Sequence, residues 1–348
     1  MIQVTKCEKT QISRIDFNEL TFGKNFTDHM FCCTYTSGAW QNPRIVPYGP
    51  ISLDPSAKVF HYGQAVFEGM KAFKDKQGDI HLFRPDQNIA RMNKSCQRLA
   101  IPEFPEDLFL DALKTLIDLD REWVKDGHGH ALYIRPVVFA TEHGVAASPS
   151  EGYEFMIILS PVTAYYNEKL KVVIADHYSR AANGGVGFAK AAGNYAAQFY
   201  PTHLAREKGY HQVIWTDANT HEFLEEAGTM NVFFRVGDTL ITAPTSDRIL
   251  DGVTRKSLIQ LAKNLHMEVS VRKFSVTELM EAYHSGDLKE IFGSGTAATI
   301  SAISGFGHKD QYYELPHEPN SYAAQLKSAL QDIQYNRAQA PEGWLVKI

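Results

Sequence analysis

One stretch of the sequence limits the fold more than any other, because it places a single lysine among small residues. Lys190 lies between Gly184–Ala189 and Ala191–Asn194, and Tyr195 follows five positions later. Glycine and alanine let the backbone approach a bulky partner closely, and a lysine in such surroundings can bond covalently to a planar carbonyl compound. Taken alone, the stretch slightly favours a simpler interpretation, a flexible glycine loop with an ordinary lysine.

Length, charge and cysteine usage exclude several classes of protein. The 348 residues predict two domains with sizeable cores, and the formal net charge of -5 gives no reason to expect nucleic acid or a membrane surface as a partner. The longest apolar run, Phe155–Leu159, is too short to span a bilayer, and residues 1–6 lack the apolar core of a signal peptide. The four cysteines have no C-x-x-C spacing, which argues against a disulfide framework and is compatible with a reducing cytoplasm.

Strand and helix signals alternate along the chain and predict the α/β (α+β) class. We expect a small α+β domain at residues 1–161, an interdomain loop at 162–169 and a large domain at 170–348. Strands of the small domain are predicted at 30–35, 65–73, 80–84, 131–140 and 154–159, and helices begin at Pro85 and Pro105. Strands of the large domain are predicted at 170–175, 212–216, 231–236, 239–242 and 289–293.

Three helices are predicted in the large domain. The first follows Lys190 and ends near Lys208, and Pro201 should kink it or delay its start. The second covers about 254–265, and the third begins at the capping-box signature of residues 275–278.

Four features besides the lysine could carry chemistry, although each one taken singly is more typical of ordinary structure. Glu225 and Glu226 precede an apolar strand, where a buried carboxylate could pair with a protonated ring nitrogen. The segments 250–255 and 293–297 offer backbone amides to an anion, and Arg84 ends a strand where it could reach a phosphate.

Together these features describe one ligand. They provide a lysine for an aldehyde, a carboxylate for a pyridine nitrogen, a tyrosine for a phenolate oxygen, and two amide turns with an arginine for a phosphate. That ligand would be pyridoxal 5′-phosphate (PLP). The P-loop and dinucleotide-binding motifs and a constellation of metal ligands are all missing from the sequence, so no metal is expected.

At these positions the sequence resembles the branched-chain amino acid aminotransferases, which are two-domain PLP enzymes of fold type IV with the D-amino acid aminotransferase-like fold. The resemblance is closest to the long form shared by eukaryotes and many bacteria. The matching words keep the family's order over nearly the whole chain and lie at 26–30, 67–72, 82–85, 132–136, 184–195, 226–231, 252–255 and 292–297.

The resemblance implies a role for each matching position. Lys190 would be the catalytic residue, which holds PLP covalently and moves a proton, and Glu226 would keep the ring nitrogen protonated. The other cofactor-binding residues would be Arg84, Tyr195, Thr229, Val253, Thr254 and Thr296. The substrate-binding residues would be Phe26, Tyr62, Phe67, Tyr133, Thr229, Thr296 and Ala297, with Tyr62 lent by a second subunit.

The activity implied is transfer of an amino group between L-leucine, L-isoleucine or L-valine and 2-oxoglutarate by a cytoplasmic homodimer with pocket residues shared across its interface. The residues that bind the glutamate γ-carboxylate are not identified. The alternatives are another fold-type IV enzyme, either a D-amino acid aminotransferase or an aminodeoxychorismate lyase, and a PLP-binding protein without catalytic activity. Residues 298–301 read Ala-Thr-Ile-Ser where mammalian relatives carry a C-x-x-C pair, so no thiol switch is expected there.

Overall fold

The chain forms two compact units, and the computed structural model describes residues 1–127, 129–163 and 169–348. Unit 1 comprises Met1–Tyr165, Ala189–Gly193 and Ile333–Ile348, and unit 2 comprises Tyr166–Phe188 and Asn194–Asp332. Lys190 therefore belongs to unit 1. The predicted loop at 162–169 stays a prediction, because residues 164–168 lie outside the described residues.

The secondary structure mixes strands and helices throughout both units. In chain order the strands are β1 (Gln3–Val4), β2 (His29–Thr36), β3 (Ala39–Pro47), β4 (Ala65–Phe67), β5 (Met70–Lys74), β6 (Ile80–Phe83), β7 (Ala131–Ala140), β8 (Tyr153–Val162), β9 (Leu170–Ile174), β10 (Gln212–Thr216), β11 (Leu224–Ala227), β12 (Met230–Val236), β13 (Thr239–Thr242), β14 (Glu268–Val271), β15 (Leu288–Gly295), β16 (Thr299–His308), β17 (Gln311–Glu314) and β18 (Leu345–Lys347). The α-helices are α1 (Lys58–Tyr62), α2 (Pro85–Arg98), α3 (Glu106–Leu119), α4 (Ala192–Glu207), α5 (Val253–Asn264), α6 (Val276–Ser285) and α7 (Tyr322–Gln334).

Unit 1 is built on one sheet with the strand order β1-β3-β2-β8-β7-β5-β6-β18, and β4 pairs with β7 beside this path. Only the short β1–β3 pair is parallel among the described strands of this sheet. The apolar stripe of α2 is buried at Ile89, Met92 and Cys96, and it joins the unit's main core. In that core the rings of Phe104 and Phe155 stack with centroids 3.7 Å apart.

The predicted single strand at 65–73 is wrong, because the chain leaves the sheet between β4 and β5. Phe67 N–H donates to the carbonyl of Lys190, and Glu68 N–H donates to the carbonyl of Pro136. The Glu68 side chain folds back and accepts a hydrogen bond from Gly69 N–H at 3.0 Å. A carboxylate with no exposed surface must find donors, and this requirement interrupts the regular strand pairing.

Unit 2 contains a closed circuit of strands. Its sheet follows the order β11-β10-β9-β16-β15-β12-β13-β14, and an additional β11–β12 pairing joins the ends of the first six strands into a ring. β9 is parallel to both of its neighbours, β10 and β16. An apolar cluster that includes Val172, Ile214, Val232 and Phe306 forms the core. The predicted α/β (α+β) class is confirmed.

The three helices predicted in unit 2 are present with similar boundaries, whereas α7 was not predicted. Two further details differ from the predictions. α4 begins at Ala192 and includes Pro201, so the helix does not start late. β15 runs on to Gly295, so the segment predicted as a turn at 293–297 begins as strand. α6 has the predicted capping box, in which Ser275 Oγ accepts Glu278 N–H at 3.0 Å and the Glu278 carboxylate accepts Ser275 N–H at 2.9 Å.

Within the described ranges, no helix combines the length and the apolar character needed to cross a membrane.

Candidate active site

The main chain of Lys190 is fixed on both sides within unit 1. Its N–H donates to Ser95 Oγ at 2.9 Å, its carbonyl accepts Phe67 N–H at 3.1 Å, and Ala191 pairs with Val66 as an isolated bridge. The Lys190 ammonium lies 5.0 Å from the centroid of the Phe67 ring, a distance at which a cation and an aromatic face attract each other. The lysine is therefore held by β4 and α2.

Behind Phe67 lies a buried ion pair that the sequence interpretation missed. Glu68 Oε1 accepts Arg91 Nε–H at 2.7 Å and Glu68 Oε2 accepts Arg91 Nη2–H at 2.9 Å, while Asn88 donates to Oε2 at 2.8 Å. Burial would raise the pKa of Glu68, but the Arg91 guanidinium and the Lys190 ammonium hold that pKa below its usual value. The available signal was a charged residue within an apolar strand pattern.

An arginine and a tyrosine also lie near Phe67. The Arg135 guanidinium carbon lies 4.7 Å from the Phe67 ring centroid, and Arg135 Nη2 donates to the Tyr133 hydroxyl at 2.9 Å. A Cβ on Gly69 would come within 2.2 Å of that hydroxyl, so the glycine makes room for it. Arg135 Nε is buried and has no hydrogen-bond partner among the described residues. Such a donor suits an anion, although the sequence interpretation did not select Arg135.

The other predicted site residues of unit 1 contact different partners. Phe26 stacks on Tyr48 with ring centroids 4.8 Å apart. Tyr62 is 45% exposed, and its hydroxyl donates to the carbonyl of Val145. Arg84 adopts a left-handed backbone conformation with φ 50° immediately before α2, and its guanidinium carbon lies 4.7 Å from the Trp344 ring centroid. Arg84 as a phosphate ligand stays a prediction.

Unit 2 holds Glu226 in a site built around one carboxylate. Glu226 is 3% exposed, and its Oε2 is paired with Arg180 Nε at 2.9 Å. Its Oε1 accepts two hydrogen bonds, from Asn231 Nδ2 at 3.0 Å and from Leu250 N–H at 2.9 Å. Arg180 also donates to the carbonyl of Gly187 at 3.1 Å, three residues before Lys190. The arrangement favours an ionised Glu226, because each of its oxygens faces donors.

The neighbouring carboxylate of Glu225 has a different environment, since alternate residues of β11 face opposite sides of the strand. Glu225 is paired with Arg248, yet burial raises the pKa of Glu225 above its usual value. Two adjacent glutamates of similar burial therefore have separate arginine partners.

Both predicted amide turns lie in unit 2, and residue Asn231 connects them to the Glu226 site. α5 begins after Gly252, which has no side-chain cap, so the N–H groups of Val253 and Thr254 lie at a helix start where no intrahelical carbonyl reaches. A Cβ on Gly252 would come within 2.0 Å of Asn231 Oδ1. In the β12–β15 register Asn231 lies opposite Ser294.

The second turn carries half-buried residues Thr296 and Ala297 between β15 and β16. Just before it, the buried Ser294 Oγ has no hydrogen-bond partner in the part of the chain that the structure describes. Tyr195 is half-buried on α4, and Thr229 is exposed next to Gly228, which has a φ of 59°. Unit 2 thus contains the Glu226 carboxylate, the start of α5 and the unsatisfied Ser294 hydroxyl just before a turn.

Comparison with known proteins identifies these features with one family. The profile of amino-transferase class IV matches residues 65–306. The branched-chain-amino-acid transaminase 1 of Bacillus subtilis (strain 168) is 43% identical over 339 residues, which cover 96% of this chain and 95% of the relative. A probable branched-chain-amino-acid aminotransferase of Staphylococcus aureus (strain MRSA252) is 44% identical and covers 100% of this chain and 99% of its own length.

Solved structures show the same fold at lower identity. The branched-chain aminotransferase from Thermoproteus uzoniensis with norvaline superimposes with a TM-score of 0.75 at 21% identity, over 91% of this chain and 99% of that chain. The branched-chain amino acid aminotransferase from Escherichia coli gives a TM-score of 0.73 at 24% identity, over 92% of this chain and 98% of that chain. This chain belongs to the class IV aminotransferases and, within them, to the branched-chain amino acid aminotransferase family.

Proposed function

We propose that this protein is a PLP-dependent transaminase that moves an amino group between L-leucine, L-isoleucine or L-valine and 2-oxoglutarate. The observation that carries the proposal is the setting of Lys190, whose main chain is fixed by Ser95 and Phe67 and whose amine lies on the Phe67 ring. The full-length relatives named for branched-chain substrates support the choice of substrate.

The residues present fit PLP in chemistry. Unit 1 supplies a primary amine on a fixed main chain, and unit 2 supplies the buried Glu226 carboxylate with its arginine partner. The amides at the start of α5 and the unsatisfied Ser294 hydroxyl are donors of the kind that a phosphate accepts. The related branched-chain amino acid aminotransferase from Thermobaculum terrenum was solved in a PLP form, and another related enzyme was solved with N-(5′-phosphopyridoxyl)-L-glutamate.

When bound, PLP supplies an aldehyde that condenses with the substrate amine and a ring that accepts electrons from Cα. Lys190 Nζ would hold the cofactor between turnovers and, once released, would move the proton at the substrate Cα. Glu226 would provide a negative charge for the ring nitrogen, and its pairing with Arg180 supports that charge. The amides of Val253 and Thr254, with Thr296, would hold the phosphate, and Tyr195 would donate to the phenolic oxygen.

The residues around Lys190 in unit 1 also suit the substrates. Phe67 offers an apolar ring to a branched side chain, and we assign Phe26 and Thr229, with Tyr62 from a second subunit, to substrate binding. The unsatisfied Nε of Arg135 and the neighbouring Tyr133 hydroxyl suit a carboxylate, because a guanidinium donates to carboxylates with strong, charge-assisted hydrogen bonds. A site with both features accepts branched amino acids and glutamate in turn.

We also propose a cytoplasmic homodimer. Phe60, Tyr62 and Val145 are 62%, 45% and 67% exposed, and apolar side chains exposed together are typical of a protein interface. The four cysteines are all free thiols, which supports a reducing compartment. Light scattering should give twice the chain mass, and Phe60→Glu should shift the protein toward monomer. A monomeric wild-type protein would refute the assembly.

Reduction with borohydride followed by peptide mapping tests the cofactor assignment. A pyridoxyl label is expected on Lys190, and a label elsewhere would reject the assignment. Steady-state assays with a panel of L-amino acids and 2-oxoglutarate then test the substrate. Turnover of D-alanine but not of L-leucine would identify a D-amino acid aminotransferase instead. A bound cofactor whose absorbance does not change when L-isoleucine is added would indicate a protein without catalytic activity.

A further inference from the structure

α2 carries a buried polar stripe in addition to its apolar one. The stripe consists of Asn88, Arg91 and Ser95, which are 2%, 8% and 1% exposed. Residues spaced by three and four positions lie on one face of a helix. Buried polar groups need hydrogen-bond partners, so the partners of these three residues indicate what the polar stripe does.

The partners of the polar stripe are Glu68 and Lys190. Asn88 and Arg91 donate to the Glu68 carboxylate at 2.7–2.9 Å. Ser95 Oγ accepts the Lys190 N–H at 2.9 Å and donates to the Arg91 carbonyl, also at 2.9 Å. One helix face therefore connects a buried carboxylate to the main chain of the lysine.

A second path joins the same two residues through Phe67. Phe67 precedes Glu68 in sequence, its N–H donates to the Lys190 carbonyl, and its ring lies 5.0 Å from the Lys190 ammonium. Glu68 is ionised, since the charges of Arg91 and Lys190 together outweigh the effect of burial and lower its pKa. A third cation, Arg135, also lies on this ring, with its guanidinium carbon 4.7 Å from the Phe67 ring centroid.

We propose that Glu68 is a positioning residue of the transamination reaction, which aligns the polar stripe behind Lys190 and supplies a counter-charge that favours the protonated nitrogen at that position. Glu68 acts through Arg91, Ser95 and the electrostatic field, without contact to substrate. The inference rests on the proposed function, because it assigns Glu68 a part in the chemistry of Lys190.

Glu68→Gln tests the counter-charge, because the amide keeps the shape of the side chain and one acceptor oxygen. The readout is the midpoint of the pH-dependent absorbance change of the PLP-loaded protein without substrate. An opposite charge within reach shifts such a titration by at least about one unit, so the midpoint should fall by about one pH unit. Glu68→Asp retains the charge at a greater distance and should give an intermediate midpoint. In both variants kcat for L-leucine should fall while KM stays near the wild-type value.

Glu290→Gln is the matched control. Glu290 is 8% exposed and pairs with Arg235 at 3.1 Å in unit 2. Its substitution therefore removes one buried carboxylate from an arginine that also pairs with Asp238 and Glu318. This control should lower the thermal stability and leave the absorbance midpoint in place.

A Glu68→Gln midpoint equal to that of the wild type, together with a loss of stability like that of Glu290→Gln, would overturn the inference. If Glu68→Gln does not fold, Glu68→Asp decides: a lowered midpoint supports the counter-charge, and an unchanged one rejects it. A wild-type protein that takes no label at Lys190 refutes the proposed function itself. A labelled wild type with unmoved variants refutes only the role of Glu68.

Discussion

Glu226→Gln removes one charge from the unit 2 site and leaves most of its geometry unchanged. The two neutral donors, Asn231 Nδ2 and Leu250 N–H, both bond to Oε1, and an amide oxygen can retain them. Arg180 Nε is paired with Oε2, where the amide nitrogen would face it donor to donor. The damage is therefore confined to the ion pair and to the charge offered to the cofactor.

Two magnitudes follow from this geometry. Breaking a buried ion pair by removing one partner lowers the free energy of unfolding by about 3–5 kcal/mol. A hydrogen bond to a charged group contributes about 1.5–3 kcal/mol, so the loss of the carboxylate from the ring nitrogen should reduce kcat about 10- to 150-fold. Urea unfolding of the cofactor-free protein measures the first effect, and steady-state turnover of L-leucine measures the second.

Glu225→Gln separates the two effects. Glu225 is 5% exposed and pairs with Arg248, so its substitution should reduce stability without a comparable loss of turnover. Equal turnover in the Glu225 and Glu226 variants at saturating cofactor would refute the assigned role of Glu226. A Glu226→Gln protein as stable as the wild type would refute the ion-pair reasoning.

Three further predictions concern stability and reactivity. Burial would raise the pKa of Asp217, but hydrogen bonds from the Phe223 and Thr220 amides lower it to about 2. Asp217 should therefore contribute about 2 kcal/mol above pH 4 that is lost as the pH falls toward 2, and Asp217→Asn should lack this acid-dependent loss in urea midpoints measured from pH 2 to 6. Ser275→Ala removes the cap of α6 and should lower the free energy of unfolding by about 1 kcal/mol in urea titrations. Burial raises the pKa of Cys32 and Cys33 to about 11 and of Cys96 to about 12. A thiol reagent should therefore titrate only Cys7 in the native protein and all four cysteines in urea. Reaction of a second thiol in the native protein would contradict the burial of these three cysteines.

Local signals were sufficient where the pattern and the partner both lie nearby in sequence. The strand at 131–140 and the capping box at 275–278 were predicted at the observed positions, because strand alternation and cap chemistry depend on adjacent residues. α7 was not predicted, although Ser321 lies directly before it and its Oγ accepts the Ala324 N–H at 3.1 Å. The first amides of α7, at Tyr322 and Ala323, bond to the Glu290 carboxylate at 2.7 and 3.2 Å, so part of what satisfies its start lies far away in the chain.

For the candidate site, too, the sequence does not show which partners from distant parts of the chain a residue will meet. Lys190 and Glu226 became candidates when separate segments of the sequence were combined and matched to the motifs of a known family. Arg91 did not, because the amphipathic pattern of α2 does not reveal that a polar residue on it meets Glu68 inside the unit. Arg135 became a candidate only when the structure showed its Nε buried and unsatisfied among the described residues.

Unit 1 closes with residues from the far end of the sequence, since Leu345 of β18 lies opposite Phe83 of β6 and residues 333–348 belong to this unit. During synthesis all of unit 2 is therefore polymerised before the last strand of unit 1 exists. The edge of β6 stays unpaired until residues 345–347 leave the ribosome. A nascent chain that stalls after residue 332 would keep that strand edge exposed, and we expect a chaperone to bind it at this stage.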